Sequence, residues 1–107
     1  MEIVLNEIQH GDARELAKSI PDKSADLIFT DPLYDRMEDY QWLAETACRI
    51  LKPNAPIFIF YWEGFLPETL DALRRGGLQF RWNFNLYQPA GTSHAPNGFT
   101  QLTKCIW

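Results

Sequence analysis

The chain has 107 residues, which is enough for one domain with a single modest core. A hydrophobic content of 46% and an aromatic content of 14% exclude a disordered chain, and no apolar run reaches the roughly 18 residues that span a membrane. The net charge of −4 argues against tight nucleic-acid binding by this chain alone, and the N-terminus lacks a secretory signal, so we expect a cytoplasmic protein.

The beginning of the chain predicts a strand, a helix and a second strand, in that order. Residues 8–10 are predicted to form the first, short strand, and residues 13–20 the helix. Asp12 and Glu15 have the spacing of a capping box at the start of that helix. The continuous apolar run at 26–30 indicates a strand that is covered on both faces.

The clearest predicted helix covers residues 40–51 and ends before Pro53, which cannot continue a helix. Residues 57–62 then indicate another buried strand. The apolar side chains of the helix recur at helical spacing and form a single stripe, which consists of Tyr40, Leu43, Ala44, Ala47, Ile50 and Leu51.

One more helix and two more strands complete the predicted elements. Pro67 opens the helix, and Gly76 closes it. Apolar and polar side chains alternate over residues 79–87, which predicts a half-buried strand, and residues 102–107 predict the last strand. The polar stretch at 88–98 between these strands has the length and composition of a functional loop.

This order of elements predicts an α/β fold. Strands that alternate with helices form a mostly parallel sheet covered by helices, and the last two strands can pair as an antiparallel hairpin at one edge. Ligands bind such sheets at the carboxyl ends of the strands. Asp12 and Asp31 both follow predicted strands, so we expect both carboxylates at that end of the sheet.

The residues Asp31-Pro32-Leu33-Tyr34 come directly after the apolar run and are the first candidate site. The Asp31 carboxylate and the Pro32 carbonyl can accept hydrogen bonds from an exocyclic amine, and Tyr34 can stack on a flat ring, as in enzymes that hold a flipped-out base. Taken in isolation, Asp31 could equally shape a turn and Tyr34 could simply pack. Their shared position at the end of a buried strand favours function.

The stretch from Ala25 to Tyr34 resembles the catalytic motif of amino-methyltransferases that modify DNA bases with S-adenosylmethionine. The usual form of that motif is Asp-Pro-Pro-Tyr, so Leu33 is a departure from it. Residues 49–55 resemble the Leu-Lys-Pro-Gly-Gly turn of the same enzymes, and Gly11-Asp12 lies about 20 residues before the motif, as in the family. In the family's usual pattern, an Asp at position 31 favours N6 of adenine over N4 of cytosine.

The resemblance implies a Rossmann-like three-layer sandwich that binds S-adenosylmethionine and needs no metal. Two of the implied residues also have a purely structural interpretation. Asp12 could be a helix N-cap without any further role, and Tyr61 could simply be part of the core. The implied catalytic residues are Asp31, Pro32 and Tyr34, the implied cofactor-binding residues are Asp12, Ala13 and Asp31, and the implied substrate-binding residues are Tyr34 and Tyr61.

The chain contains no match to the Phe-x-Gly-x-Gly loop with which these enzymes hold the methionine end of the cofactor. In the family's permuted order that loop lies downstream of the catalytic motif, so residues 1–107 are expected to be the catalytic part of a truncated, split or degraded methyltransferase. The expected partners are DNA, bound weakly, and a complementary segment or a second copy. Two alternatives stay open, namely a non-catalytic interaction domain and a methyltransferase for RNA or protein glutamine.

Overall fold

The computed structural model describes residues 4–86 and 102–106, with the backbone alone for 84–86 and 102–106. Single 3-10 turns at Ala17–Ser19 and Glu63–Phe65 adjoin the first and last helices. The helices are α1 (Ala13–Leu16), α2 (Met37–Ile50) and α3 (Leu66–Arg75). The strands are β1 (Ile28–Thr30), β2 (Ile57–Tyr61), β3 (Trp82–Leu86) and β4 (Leu102–Ile106).

The four strands form one sheet in the order β1-β2-β4-β3. β1 and β2 are parallel, whereas β4 lies between β2 and β3 and is antiparallel to both. The register places the carboxyl ends of β1, β2 and β3, and the start of β4, at the same end of the sheet. The predicted α/β fold, with its antiparallel hairpin at one edge, is therefore confirmed.

Helix α2 supplies the largest share of the core among the described elements, as its apolar stripe predicts. All six residues of the stripe are buried, although Leu51 lies just past the end of the helix. They pack against the buried residues of β2 and α3, which are Ile57, Ile59, Tyr61, Ala72 and Leu73. Within the described part of the chain, no helix is long and apolar enough to cross a membrane.

The close contact between α2 and α3 depends on Gly76, which caps the end of α3. A Cβ atom at this position would meet the Cβ atom of Ala44 and would lie 2.8 Å from the carbonyl oxygen of Gln41. The next residue, Gly77, has a φ of 105°, a left-handed conformation that glycine adopts without strain. The predicted helix end at Gly76 is confirmed.

Residues 8–10 do not form the predicted strand, and the side chain of Ile8 is fully exposed. A strand is stable only when a neighbour takes up its backbone hydrogen bonds, and β1 pairs with β2 on one side alone in the described residues. The prediction of a strand at 8–10 is therefore wrong, because this segment has no partner strand among the described residues.

The face of the sheet opposite α2 and α3 carries large aromatic side chains. Phe29 is 58% exposed and its ring centroid lies 6.2 Å from that of Phe58 and 5.6 Å from that of Phe60. Trp82 is 65% exposed. Two predictions are therefore wrong for the described residues. β1 is not covered on both faces, and the apolar side of β3 is exposed at Trp82, because helices α2 and α3 cover only the other face of the sheet.

Candidate active site

The catalytic-type motif lies where β1 ends and the chain turns toward α2. Thr30, Pro32 and Leu33 line a cavity of about 410 Å³ at the carboxyl end of the sheet. This volume is within the range of roughly 300–1,000 Å³ that is usual for small-molecule sites. The remaining lining residues come from the start of α1 and from α2, and are Asp12, Ala13, Arg14, Arg36, Asp39, Trp42 and Leu43.

Asp31 and Tyr34 interact with each other and adjoin Pro32 and Leu33 in the chain, but neither is among the residues that line the cavity. Partial burial raises the pKa of Tyr34 above its usual value of 10.0, and a hydrogen bond to the Asp31 carboxylate together with its negative charge raises the pKa further. The Tyr34 phenol is therefore neutral at physiological pH, and its hydroxyl group is available as a donor. The side chain of Asp31 is exposed, which leaves its carboxylate accessible to a ligand.

Asp12 is the N-cap of α1, as its sequence context predicts. Its Oδ1 atom accepts a hydrogen bond of 2.9 Å from the backbone N–H of Arg14. The reciprocal half of the capping box is absent, because the Glu15 carboxylate is paired with Lys18 at 3.1 Å instead. Asp12 and Ala13 nevertheless line the same cavity as Pro32, so the structure brings these three predicted residues together.

A cluster of charged side chains beside the cavity was not predicted from the sequence. The Arg14 guanidinium donates to Asp39 at 2.6 Å and lies 4.9 Å from the centre of the Trp42 ring. Arg36 also pairs with Asp39, at 3.1 Å. No local pattern could reveal this cluster, because Arg14 and Asp39 are 25 positions apart in the chain.

Tyr61 lies in the core and is 2% exposed. Its hydroxyl group donates a hydrogen bond of 2.8 Å to Asn83 and thereby joins β2 to β3 across the intervening strand β4. This position favours the packing role that the sequence left open for Tyr61. A contact between Tyr61 and a substrate stays a prediction.

The loop at 88–98, with His94, lies outside the described residues. Its flanking strands end and begin at Leu86 and Leu102, which are register partners at the same end of the sheet as the cavity. A second cavity, of about 430 Å³, lies at the opposite end of β2, where Lys23, Lys52 and Arg81 are among its lining residues. Within the described residues, no group of three or more His, Cys, Asp or Glu side chains is placed to hold a metal ion.

Comparison with known proteins gives one sequence relative with a clear likeness. The type II methyltransferase M.BamHI of Bacillus amyloliquefaciens is 30% identical over 88 residues, a match that covers 63% of this chain and 21% of the relative. The chain thus spans about a fifth of the length of that relative. No protein-family model matches the sequence.

Solved structures show the same fold. The M1.HpyAVI–SAM complex matches with a TM-score of 0.70 and 20% identity, covering 92% of this chain and 52% of that chain. A protein of Thermus thermophilus described as a DNA modification methylase, complexed with S-adenosyl-L-methionine, matches with a TM-score of 0.68 and 16% identity, covering 90% of this chain and 49% of that one. This chain is therefore homologous to a type II methyltransferase and has the Rossmann-like fold of S-adenosylmethionine-bound DNA methylases.

Proposed function

We propose that this chain is the catalytic part of a methyltransferase that transfers a methyl group from S-adenosylmethionine to the exocyclic amine of a DNA base, with N6 of adenine as the preferred target. The observation that carries the proposal is the meeting of Asp12, Ala13 and Pro32 at one cavity, with Asp31 adjoining Pro32 in the chain and Tyr34 interacting with Asp31. Homology to a type II methyltransferase supports the same assignment.

The cavity is chemically suited to the cofactor. Leu33, Leu43 and Trp42 offer apolar walls for a flat ring, and the carboxylate of Asp12 offers an acceptor for hydroxyl or amino groups. Asp12 and Ala13, which line the cavity, would hold the cofactor together with Asp31. When bound, S-adenosylmethionine supplies a methyl group activated by a positively charged sulfur.

The motif residues would hold the target amine. The amine donates one N–H to the Asp31 carboxylate and another to the Pro32 carbonyl, which directs its nitrogen lone pair toward the methyl carbon. With the amine held by Asp31 and Pro32, the cofactor would supply the methyl group to the nitrogen and keep the electron pair of its C–S bond on sulfur, and the proton lost from the nitrogen would pass to water. Tyr34 stacks on the base and keeps it flat. The Tyr34–Asp31 hydrogen bond gives way when the amine takes the carboxylate.

The experiments below also distinguish this proposal from three alternative functions. The motif recognises an amine rather than a particular polymer, so RNA or a protein glutamine could be the acceptor. A non-catalytic remnant would bind a partner without turnover. The expected weak affinity for DNA, a complementary segment or second copy, and a cytoplasmic location all stay predictions, and the net charge of −4 is in keeping with weak DNA binding.

The test measures methyl incorporation from radiolabelled S-adenosylmethionine into DNA, RNA and protein by the complete protein and two of its variants. Asp31→Ala should abolish incorporation and leave the melting temperature nearly unchanged, because the Asp31 side chain is exposed. Asp35→Ala is the matched control, since it removes another exposed carboxylate of the same loop and should retain activity. An active Asp31→Ala variant would refute the assignment of Asp31 as the amine acceptor.

Calorimetric titration with S-adenosylmethionine separates the remaining outcomes. Binding together with incorporation into DNA supports the proposal, and the position of the label, read from digested DNA, distinguishes adenine from cytosine. Binding with incorporation into RNA or protein alone would replace DNA by that acceptor. If the complete protein neither binds the cofactor nor transfers a methyl group, the non-catalytic remnant is favoured.

A further inference from the structure

We propose that Arg14 is a positioning residue, which fixes the Asp12 side of the cavity through its contacts with α2. The effect on α1 and Asp12 stands on geometry alone, whereas the effect on a bound cofactor rests on the proposed function. The starting observation is that α1 spans four residues and contains no buried residue. An element of this length cannot stay in place without tertiary contacts.

Polar contacts of two arginines attach the segment from Asp12 to Asp22 to helix α2. Arg49, near the end of α2, donates to the carbonyl oxygens of Ala17 and Ile20 at 2.7 Å each, and to the Asp22 carboxylate at 2.8 Å. Arg14 makes the contacts at the other end of the segment, beside the cavity. The position of α1 relative to α2 therefore depends on charged groups rather than on buried apolar side chains.

Arg14 makes its contacts with two neighbouring residues of α2. Its guanidinium donates to Asp39 at 2.6 Å, and the same group lies 4.9 Å from the ring centre of Trp42. The side chains of Arg14 and Asp39 are 42% and 24% exposed, so water does not fully screen the pair. A planar guanidinium can make the carboxylate bond and the ring contact together, whereas an ammonium group cannot reproduce both.

The backbone of the same residue sets the orientation of Asp12. The N–H of Arg14 donates to Oδ1 of Asp12 at 2.9 Å, and no described residue donates to Oδ2. Asp12 therefore presents its second oxygen as the free acceptor, and its direction depends on where the backbone of Arg14 lies. The side chain of Arg14 holds that backbone against α2, so loss of the side chain should loosen Asp12.

Hydrogen exchange tests this positioning without any ligand. The amides of Glu15 and Leu16 both donate to the carbonyl oxygen of Asp12, at 3.0 and 2.9 Å, and report on α1 directly. In Arg14→Gln their exchange should accelerate about 2- to 5-fold, the factor that corresponds to a partly exposed ion pair. The carboxyl carbon resonance of Asp12 should shift in the same variant.

Lys18→Gln is the matched control, because it removes another cation of the same segment that pairs only with Glu15 in the described residues and does not line the cavity. It should leave the Asp12 resonance and the Leu16 exchange rate unchanged. Arg14→Lys should restore only part of the protection, since it keeps the charge and loses the planar contact with Trp42. Unchanged exchange and an unchanged Asp12 resonance in Arg14→Gln would overturn the proposal.

Affinity for S-adenosylmethionine, measured by calorimetry on the same variants, tests the consequence for the site. Arg14→Gln should weaken binding about 3- to 10-fold, while Lys18→Gln should not. If the wild type binds and Arg14→Gln binds equally well despite faster exchange, Arg14 is merely structural and the proposal is wrong. If the wild type does not bind at all, the proposed function fails, and the exchange and resonance data decide alone whether Arg14 positions Asp12.

Discussion

At the level of single residues, Tyr34 and Asp31 form the most readily tested contact of the candidate site. Burial and the Asp31 carboxylate both raise the pKa of the Tyr34 phenol above 10.0. We therefore expect Tyr34 in the folded chain to ionise at higher pH than a free phenol. The transition should be absent from Tyr34→Phe, and in Asp31→Asn it should move to lower pH, because the neighbouring negative charge is gone.

Ultraviolet difference absorption against pH provides the measurement. The raised pKa also makes the free energy of unfolding depend on pH. The unfolded chain releases the phenolic proton near the usual pKa of tyrosine, at a pH where the folded chain still holds it. This contribution to stability is complete below pH 10.0 and is lost as the pH rises through the pKa of the folded state. A titration of Tyr34 that does not respond to Asp31→Asn would contradict the contact.

The residues of the site show what a sequence can and cannot predict. Asp12 was predicted as an N-cap because the capping bond is local, with donor and acceptor two positions apart. The Arg14–Asp39 pair was not predictable, because the two charges meet only after α1 has packed beside α2. For Tyr61 the sequence left two roles open, and its hydrogen bond to Asn83 depends on the strand order of the sheet.

At the level of elements, the contact between α2 and α3 predicts a large effect of Gly76→Ala. A Cβ atom there would meet Ala44 and the backbone atoms of Gln41 and Glu45, which cannot move away as a flexible side chain can. We expect a loss of about 1–3 kcal/mol in the free energy of unfolding, measured by urea denaturation. Gln79→Ala, at an exposed position after the same helix, should be nearly neutral. Equal stability of both variants would show that the helices are not so closely packed.

The attachment of the first helical segment to α2 predicts the effect of Arg49→Met. This variant has an unbranched apolar side chain of similar length, which leaves the Ile20 carbonyl oxygen without its arginine donor and the Ala17 carbonyl oxygen with the Ile20 N–H as its remaining donor. We expect the free energy of unfolding to fall by about 1 kcal/mol, because both groups are only partly buried and regain some water. Limited trypsin digestion should also cleave faster after Lys18 than in the wild type. Cleavage at an unchanged rate would mean that other contacts hold the segment.

The elements differ in how well their sequences predicted them. Helix α2 was predictable because its apolar stripe matches a single buried face, and that pattern needs no knowledge of its partners. The prediction of a strand at 8–10 was wrong, since a segment becomes a strand only where a neighbouring edge accepts its hydrogen bonds. The apolar run of β1 correctly predicted a strand, but it could not show which elements cover each face.

At the level of the whole molecule, charge and apolar surface are unevenly distributed. Residues 1–53 carry 11 acidic and 6 basic side chains, whereas residues 54–107 carry 3 and 4. The aromatic face, defined by Phe29, Phe58, Phe60 and Trp82, is the main apolar surface that the described helices leave uncovered. Exposed aromatic side chains that lie together on one face of a sheet can bind apolar molecules.

The aromatic face predicts binding of an apolar fluorescent dye by the folded protein. Phe29→Thr and Trp82→Thr should each lower the dye fluorescence, because threonine keeps the strand preference while removing an exposed ring. Leu5→Thr is the control, since Leu5 is also exposed and apolar but lies outside the sheet. The far-ultraviolet circular dichroism of all three variants should stay that of the wild type, which excludes unfolding as the cause. If dye binding is unaffected by Phe29→Thr and Trp82→Thr but lost in Leu5→Thr, the apolar surface lies in the N-terminal segment and the aromatic face is covered in solution.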